Sequence, residues 1–389
     1  MSILLLVVGI ILFIGLVVVH EFGHFIVARR NGVEVEEFGI FFPPRLYKYK
    51  TKAGWDFTIN LLPLGGFVKL KGEHDSDTAK GTFGAASLWV KSKIMAAGVV
   101  LNLVTALVLL TIVALVGMPK LVDNQYTVKS DTQLMTQKVL VGYIEPGSPA
   151  QKAGLRTSDE IRSFRKPGYS PVGVTSSKEL PAVTKQFAGQ TVDLFYVRDG
   201  EQKIAKVTLR TSSVVDASKK TSDPKGYLGI APTEFTLQRS TWSAPIVAVG
   251  FSAQITALTF QGLGHALGGL GSLIAGFFTG NTTARQNGQT SASEQVSGPV
   301  GIFVILQEGS QLGYQFMLLI IAIISLTLAI MNILPIPALD GGRLWITLFA
   351  RGIKRPLSAR AEEAINASGF FVLIGLIILI TVVDVKRFF

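Results

Sequence analysis

His20-Glu21-Phe22-Gly23-His24 sets two imidazoles four residues apart with a carboxylate beside the first, directly after a run, 1–19, that carries no charge. On an α-helix a four-residue step overshoots a full turn by only ~40°, so both rings face one side and can share a zinc ion at ~2.0–2.1 Å. Glu21 then lies beside the metal, where it can act as general base toward a water whose acidity the cation raises. Alone, an H-E-x-x-H pattern is moderately specific. At the end of an apolar helix it says more, because imidazoles and carboxylates are costly in hydrocarbon and are functional there by default.

A tetrahedral catalytic zinc takes three protein ligands and keeps one position open. The chain has no cysteine, so the ligands must be imidazole or carboxylate. His74 stands in a polar stretch and His265 in an uncharged one rich in Gly, Ser and Thr, whereas Asp340 closes a second apolar run, Asn332-Ile333-Leu334-Pro335-Ile336-Pro337-Ala338-Leu339-Asp340-Gly341-Gly342. Pro335 and Pro337 interrupt the helix, and Gly341 with Gly342 allow a close backbone approach. Unwound backbone at membrane depth is tolerated only where it is buried in protein or lines a watery cavity, which points to Asp340 as the third ligand.

The elements that must position these groups are membrane helices. Of 389 residues, 48% are hydrophobic and 16% charged, with mean hydropathy +0.44, a membrane composition rather than that of two or three soluble domains. Residues 1–19, 94–118, 312–339 and 367–383 are uncharged, each near the ~20 residues a crossing helix needs. The first run lacks the leading Lys or Arg and the small-residue cleavage site of a signal peptide, and is expected to be a retained helix. The net charge of +11 reflects topology and not nucleic-acid binding: Arg29, Arg30, Arg45, Lys48 and Lys50 precede the second run, and Arg343, Arg351, Lys354, Arg355 and Arg360 precede the last. Positive loops stay cytoplasmic, which places both termini outside.

The polar stretch 120–239 is then extracytoplasmic, with strands expected at 138–144, 192–197 and 203–209 and a short helix opening near Ala150. Residues 240–283 carry no charge and read as a further span, a re-entrant pair or an amphipathic surface helix; the charge rule favours the non-spanning forms, since a fifth span would turn the Arg343–Arg360 cluster outward. Residues 54–71 read as a β-hairpin or re-entrant loop, with Trp55 to Asn60 alternating and Pro63 to Gly66 interrupting. A transporter would share broken helices and buried acids, but the inverted repeats it predicts are not seen.

Together these residues resemble the site-two protease family of intramembrane zinc metalloproteases, in its bacterial PDZ-containing branch of the regulator of sigma-E protease type. The resemblance rests on the H-E-x-x-H helix, the N-x-x-P-x-P-x-L-D-G segment, Pro63-Leu64-Gly65-Gly66-Phe67-Val68-Lys69-Leu70, and Ser297-Gly298-Pro299-Val300-Gly301-Ile302, in that family's order over nearly the whole chain. It implies zinc on His20, His24 and Asp340, Glu21 as the catalytic base, and substrate contacts from Asn332, Asn102, Gly65 and Gly66. The family's G-P-x-x-N appears here as Gly98-Val99-Val100-Leu101-Asn102, without the proline. Gly142 to Ala150, with Ala153-Gly154-Leu155 and Asp159-Glu160-Ile161, resembles one PDZ domain of the bacterial protease type, a module that filters substrates by size or recruits them by strand addition.

The expected architecture is a polytopic α-helical membrane protein of about four transmembrane helices: 1–118 with the first two, the H-E-x-x-H motif and the membrane β-loop; 120–235 the PDZ domain; 240–310 a membrane-surface segment; 311–389 the last two with the L-D-G segment. The implied activity is hydrolysis of peptide bonds within or near transmembrane segments of single-span membrane proteins, such as anti-sigma factors or signal-peptide remnants, in the bacterial cytoplasmic (inner) membrane, with the lipid bilayer as the other partner.

Overall fold

The computed structural model describes residues 2–73, 77–198, 200–219, 224–283, 298–352 and 358–388, so that His74 lies outside the described residues. The chain divides into two compact units, Leu5–Ile112 with Pro245–Phe389, and Val113–Ala244 with Met1–Leu4.

In the first unit, helix α1 (Ser2–Arg30) is apolar until its last third, where the H-E-x-x-H motif falls, and it ends on Arg29 and Arg30, whose charge suits the negative end of the helix dipole. Strands β1 (Val35–Lys50) and β2 (Asp56–Leu70) follow. They fold back on themselves: Phe38 pairs with both Val68 and Phe57, and Thr58 with both Gly39 and Lys48. The expected hairpin is thereby a four-stranded ribbon in the order 66–70, 35–40, 56–60, 45–50, with 66–70 on one edge. Asn60, 2% exposed, donates from Nδ2 to the carbonyls of Ile40 and Phe41, pinning the corner where Phe41 takes φ +67°.

Helix α2 (Leu88–Val116) crosses α1 at a notch of two glycines. A Cβ on Gly23 would lie 2.7 Å from the Ala97 carbonyl oxygen, and one on Gly98 would lie 2.5 Å from His24 Nε2, so neither position admits a side chain.

The second unit carries a seven-stranded sheet. Its strands are β3 (Met118–Pro119), β4 (Gln133–Ile144), β5 (Glu160–Arg165), β6 (Val172–Gly173), β7 (Thr191–Arg198), β8 (Glu201–Thr208) and β9 (Ile230–Arg239), ordered β3-β9-β4-β5-β7-β8 with β6 paired to β5. Short helices α3 (Pro149–Lys152), α4 (Leu180–Gln186) and α5 (Ser212–Ser218) complete it, around a core that includes Ile161, Phe164, Val192 and Leu194. The strands and short helix expected from sequence correspond to β4, β7, β8 and α3.

The chain returns to the first unit through α6 (Ala244–Thr279), α7 (Pro299–Leu312), α8 (Tyr314–Ile333), α9 (Asp340–Gly352) and α10 (Ala359–Phe388). Asp384 of α10, 1% exposed, accepts from the backbone N–H groups of Gly298 and Gly301 at 2.8 Å each, which gives the Gly298-Pro299-Val300-Gly301 motif its reason: the carboxylate caps α7. Ser297 lies outside the described residues.

Among the described residues five helices are long and apolar enough to cross a membrane, α1, α2, α6, α8 and α10, one more than expected, and α6 is the least apolar of them. Residues 244–279 form one continuous helix and not a re-entrant pair. The side chains also fix helix directions. Met317 packs where α1 passes Gly9, while Ile333 and Val27 pack against one and the same core cluster, so α8 runs parallel to α1. Asn102 meets His20 and, through its carbonyl, Ser325, whereas Leu109 joins the Met317 cluster, so α2 runs against both. Helices α1 and α8 therefore run in one direction and α2 in the other, so that, where all three cross, the number of crossings between α2 and α8 is even.

Candidate metal centre

His20 and His24 lie one turn apart on α1, both 8% exposed. Across from them the chain leaves α8 at Ile333, turns through Leu334 to Leu339 with Ala338 at φ +73°, and starts α9 at Asp340. The glycines after Asp340 make this turn possible. A Cβ on Gly341 would lie 2.4 Å from the Leu334 carbonyl oxygen and one on Gly342 2.1 Å from that of Ile336. What these glycines approach closely is the loop that precedes them.

Three donor atoms converge. Asp340 Oδ2 lies 2.9 Å from His20 Nε2 and 3.1 Å from His24 Nε2, and the two Nε2 atoms are 3.3 Å apart. Ligands placed tetrahedrally around one zinc ion at ~2.0–2.1 Å are ~3.3 Å from each other, so the residues fit that ion in donor chemistry and in spacing. Among the described residues this is the one group of three or more His, Cys, Asp or Glu side chains close enough to hold a metal. His265 sits exposed on α6, apart from that group.

The surrounding groups orient the ligands. His24 Nδ1 lies 2.7 Å from the Ile94 carbonyl, an acceptor that fixes the proton on Nδ1 and leaves the Nε2 lone pair facing Asp340. Gly98 gives the two rings the room they occupy. Glu21 accepts from the Val68 backbone, and Gly66 packs 3.2 Å from the Glu21 Cγ as measured from a Cβ built on the glycine. The outer edge of strand 66–70 thus runs beside the carboxylate next to the metal donors. Gly65 lies one residue farther, under the ring of Phe42.

Asn332 is half-buried on the last turn of α8. Asn102 is 0% exposed and its amide lies 3.2 Å from His20 Nδ1, on the side of the ring away from Asp340.

Sequence reasoning missed the notch of Gly23 and Gly98, the Ile94 carbonyl, and Glu73 with Arg343. Glu73 Oε1 accepts from the Leu70 N–H at 2.9 Å and Oε2 pairs with Arg343 Nη1 at 3.3 Å, linking the end of the edge strand to the helix that carries Asp340. The spacing Gly98-x-x-x-Asn102, one helical turn, was the available signal for the first.

A bundle of apolar helices around two histidines and an aspartate, with a glutamate beside them, defines a membrane-integrated metallopeptidase. Comparison with known proteins agrees: residues 8–376 match the model of Peptidase family M50, and the chain belongs to that family, the site-two proteases. A protein of Clostridium acetobutylicum named as a putative zinc metalloprotease is 31% identical over 99% of this chain and 98% of its own length. The zinc metalloprotease RasP of Shouchella clausii is 26% identical over 97% of this chain and 98% of its own. The protein is a zinc metalloendopeptidase integral to a membrane.

Proposed function

We propose that the protein hydrolyses peptide bonds within or near the transmembrane segments of single-span membrane proteins, with His20, His24 and Asp340 holding zinc and Glu21 as the base. The observation that carries this reading is the convergence of the three donor atoms beside Glu21, on and between helices long and apolar enough to cross a membrane. A zinc ion held by His20, His24 and Asp340 would supply Lewis-acid polarisation of the scissile carbonyl and a more acidic water. Glu21 takes the proton of the attacking water and passes it to the leaving amine. A substrate helix must unwind before its backbone can be cut; the outer edge of residues 66–70, with Gly66 bare of a side chain, accepts the unwound stretch as an added strand. Asn332, on the last turn before the Asp340 loop, hydrogen-bonds the substrate backbone.

Crossing helices are α1, α2, α8 and α10, with both termini outside and residues 120–235 an extracytoplasmic PDZ domain. Parity and basic loops support the count, and α7, 14 residues or ~21 Å long, is too short to bring a crossing α6 back. The PDZ reading draws support from β9, which pairs with β4 along its length but with β3 only at Leu237 and Gln238. Beside its open edge lies a cavity of about 380 Å³ lined by Leu180, Leu228 and Ile230 and by Lys185, Lys219 and Lys225, suited to an extended peptide with a carboxylate. By the family, anti-sigma factors or signal-peptide remnants in the bacterial inner membrane are the substrate class.

The test is co-expression with a panel of single-span membrane proteins, reading fragments by mass spectrometry for wild type and Glu21→Gln. Cleavage by wild type alone, with zinc retained in the variant, is expected. Equal cleavage by both would remove Glu21 from its role.

A further inference from the structure

Asn102 stands outside the reaction as derived above, and its surroundings give it a different task. It lies on the face of α2 one turn beyond Gly98, with its backbone carbonyl accepting from Ser325 Oγ at 2.8 Å, so its position is fixed from two helices. Its side chain is 0% exposed, its Nδ2 lies 3.2 Å from His20 Nδ1, and its Oδ1 is a buried polar atom without a hydrogen-bond partner among the described residues.

An imidazole that offers Nε2 to a metal carries its proton on Nδ1, and that N–H needs an acceptor. For His24 the acceptor is the Ile94 carbonyl. For His20 the group at Nδ1 is the Asn102 amide, which has an N–H₂ end and a carbonyl end of nearly equal size. A half-turn about its last bond brings Oδ1, otherwise an orphaned acceptor, onto His20 Nδ1. The same half-turn explains why an amide stands here and not a hydroxyl or a methyl group: it meets His20 in either tautomer.

On this basis, which rests on the zinc reading of His20, we infer that Asn102 is a positioning residue for the metal centre: its carbonyl oxygen holds the His20 ring with the proton on Nδ1, so that Nε2 faces Asp340 as a ligand. Together Gly98 and Asn102 give α2 a second part in the centre that the H-E-x-x-H motif does not reveal, one residue opening the space for both rings and the other setting the tautomer of the first.

The test measures metal binding and not turnover. Full-length protein in lipid nanodiscs is titrated with zinc against a chromophoric chelator and, separately, with cobalt, whose visible bands report ligand geometry. Wild type binding about one zinc per chain secures the underlying reading; its failure to bind would count against that reading and not against Asn102 in particular. Asn102→Leu, similar in size and without an acceptor, is expected to weaken zinc ~10–100-fold and to shift the cobalt bands. Asn102→Asp, which keeps an oxygen at the same place, is expected to restore most of the loss. Ser325→Ala, which removes the bond to the Asn102 backbone while leaving the amide, is expected to bind zinc as wild type does. The inference is overturned if Asn102→Leu keeps wild-type zinc affinity and cobalt bands while raising KM, which would return Asn102 to substrate binding. It is equally overturned if Asn102→Asp is as weak as Asn102→Leu, or if Ser325→Ala loses as much as either, because helix placement and not the acceptor would then be responsible.

Discussion

Asp340 sets one oxygen against two imidazoles, so its loss removes a proposed ligand and the group that holds both rings in line. Asp340→Ala should lower zinc occupancy and peptidase activity together, a double loss that metal analysis and a cleavage assay on the same preparation can read. Glu21→Gln should separate the two, keeping metal and losing cleavage. Gly98 belongs to the same scale. A side chain there would start 2.5 Å from His24 Nε2 and 2.6 Å from His20 Cε1, atoms of the two proposed ligand rings that would have to give way. Gly98→Val is therefore expected to reduce zinc affinity at least as much as loss of an orienting partner does, ~10–100-fold, as chelator competition would show.

Among the elements, the start of α6 is tied down by one carboxylate. Asp131 accepts from the N–H and hydroxyl groups of Thr241 and Ser243, and the Ser243 and Thr241 hydroxyls, chief among these bonds, hold its pKa down to about 2. A carboxylate whose folded pKa lies below its unfolded value contributes stability above the unfolded pKa, near 4, and loses it as pH falls toward 2. Asp131→Asn should flatten the acid limb of the thermal-stability profile in that window and leave the neutral-to-alkaline limb unchanged in shape. A second element-scale outcome concerns α6 itself: with no native cysteine as background, Thr279→Cys should label from outside intact cells, as should Ser158→Cys and Ser212→Cys, while Thr51→Cys and Ser358→Cys label only after permeabilisation. Labelling of Thr279→Cys only from inside would make α6 a crossing helix. Much of this level was legible beforehand. Uncharged runs mark helices α1, α2, α8 and α10 because the bilayer sets their length, and alternation marks β7 and β8 because one face of each strand packs inward. The doubling of the β1–β2 ribbon was not legible, since its second register comes from the corner at Phe41 that Asn60 pins from twenty residues away in sequence. Nor was the contact of the Asn102 amide with His20, which only packing between α1 and α2 brings about.

At the scale of the whole molecule, the β9 groove distinguishes two uses of the proposed PDZ domain. Replacing residues 127–233 by a flexible bridge should admit substrates with large folded ectodomains if the domain excludes by size, and should slow cleavage of short-tailed ones if it recruits by strand addition. Ala182→Trp, at the cavity wall, reproduces only the second effect. Cleavage rates for one transmembrane segment carrying either tail, in each variant, check both outcomes.

The wide separation in sequence between Asp340 and the two histidines it meets has a consequence for biosynthesis. His20, Glu21 and His24 leave the ribosome early, but Asp340 follows more than three hundred residues later. At ~5–20 residues per second, the nascent chain spends some tens of seconds in the membrane with a base and two imidazoles and no complete centre. Such a chain cannot attack the newly inserted helices around it. A fragment ending at Ile333 should accordingly bind zinc weakly and cleave nothing, and competence should arrive only once the chain has closed its last loop over α1.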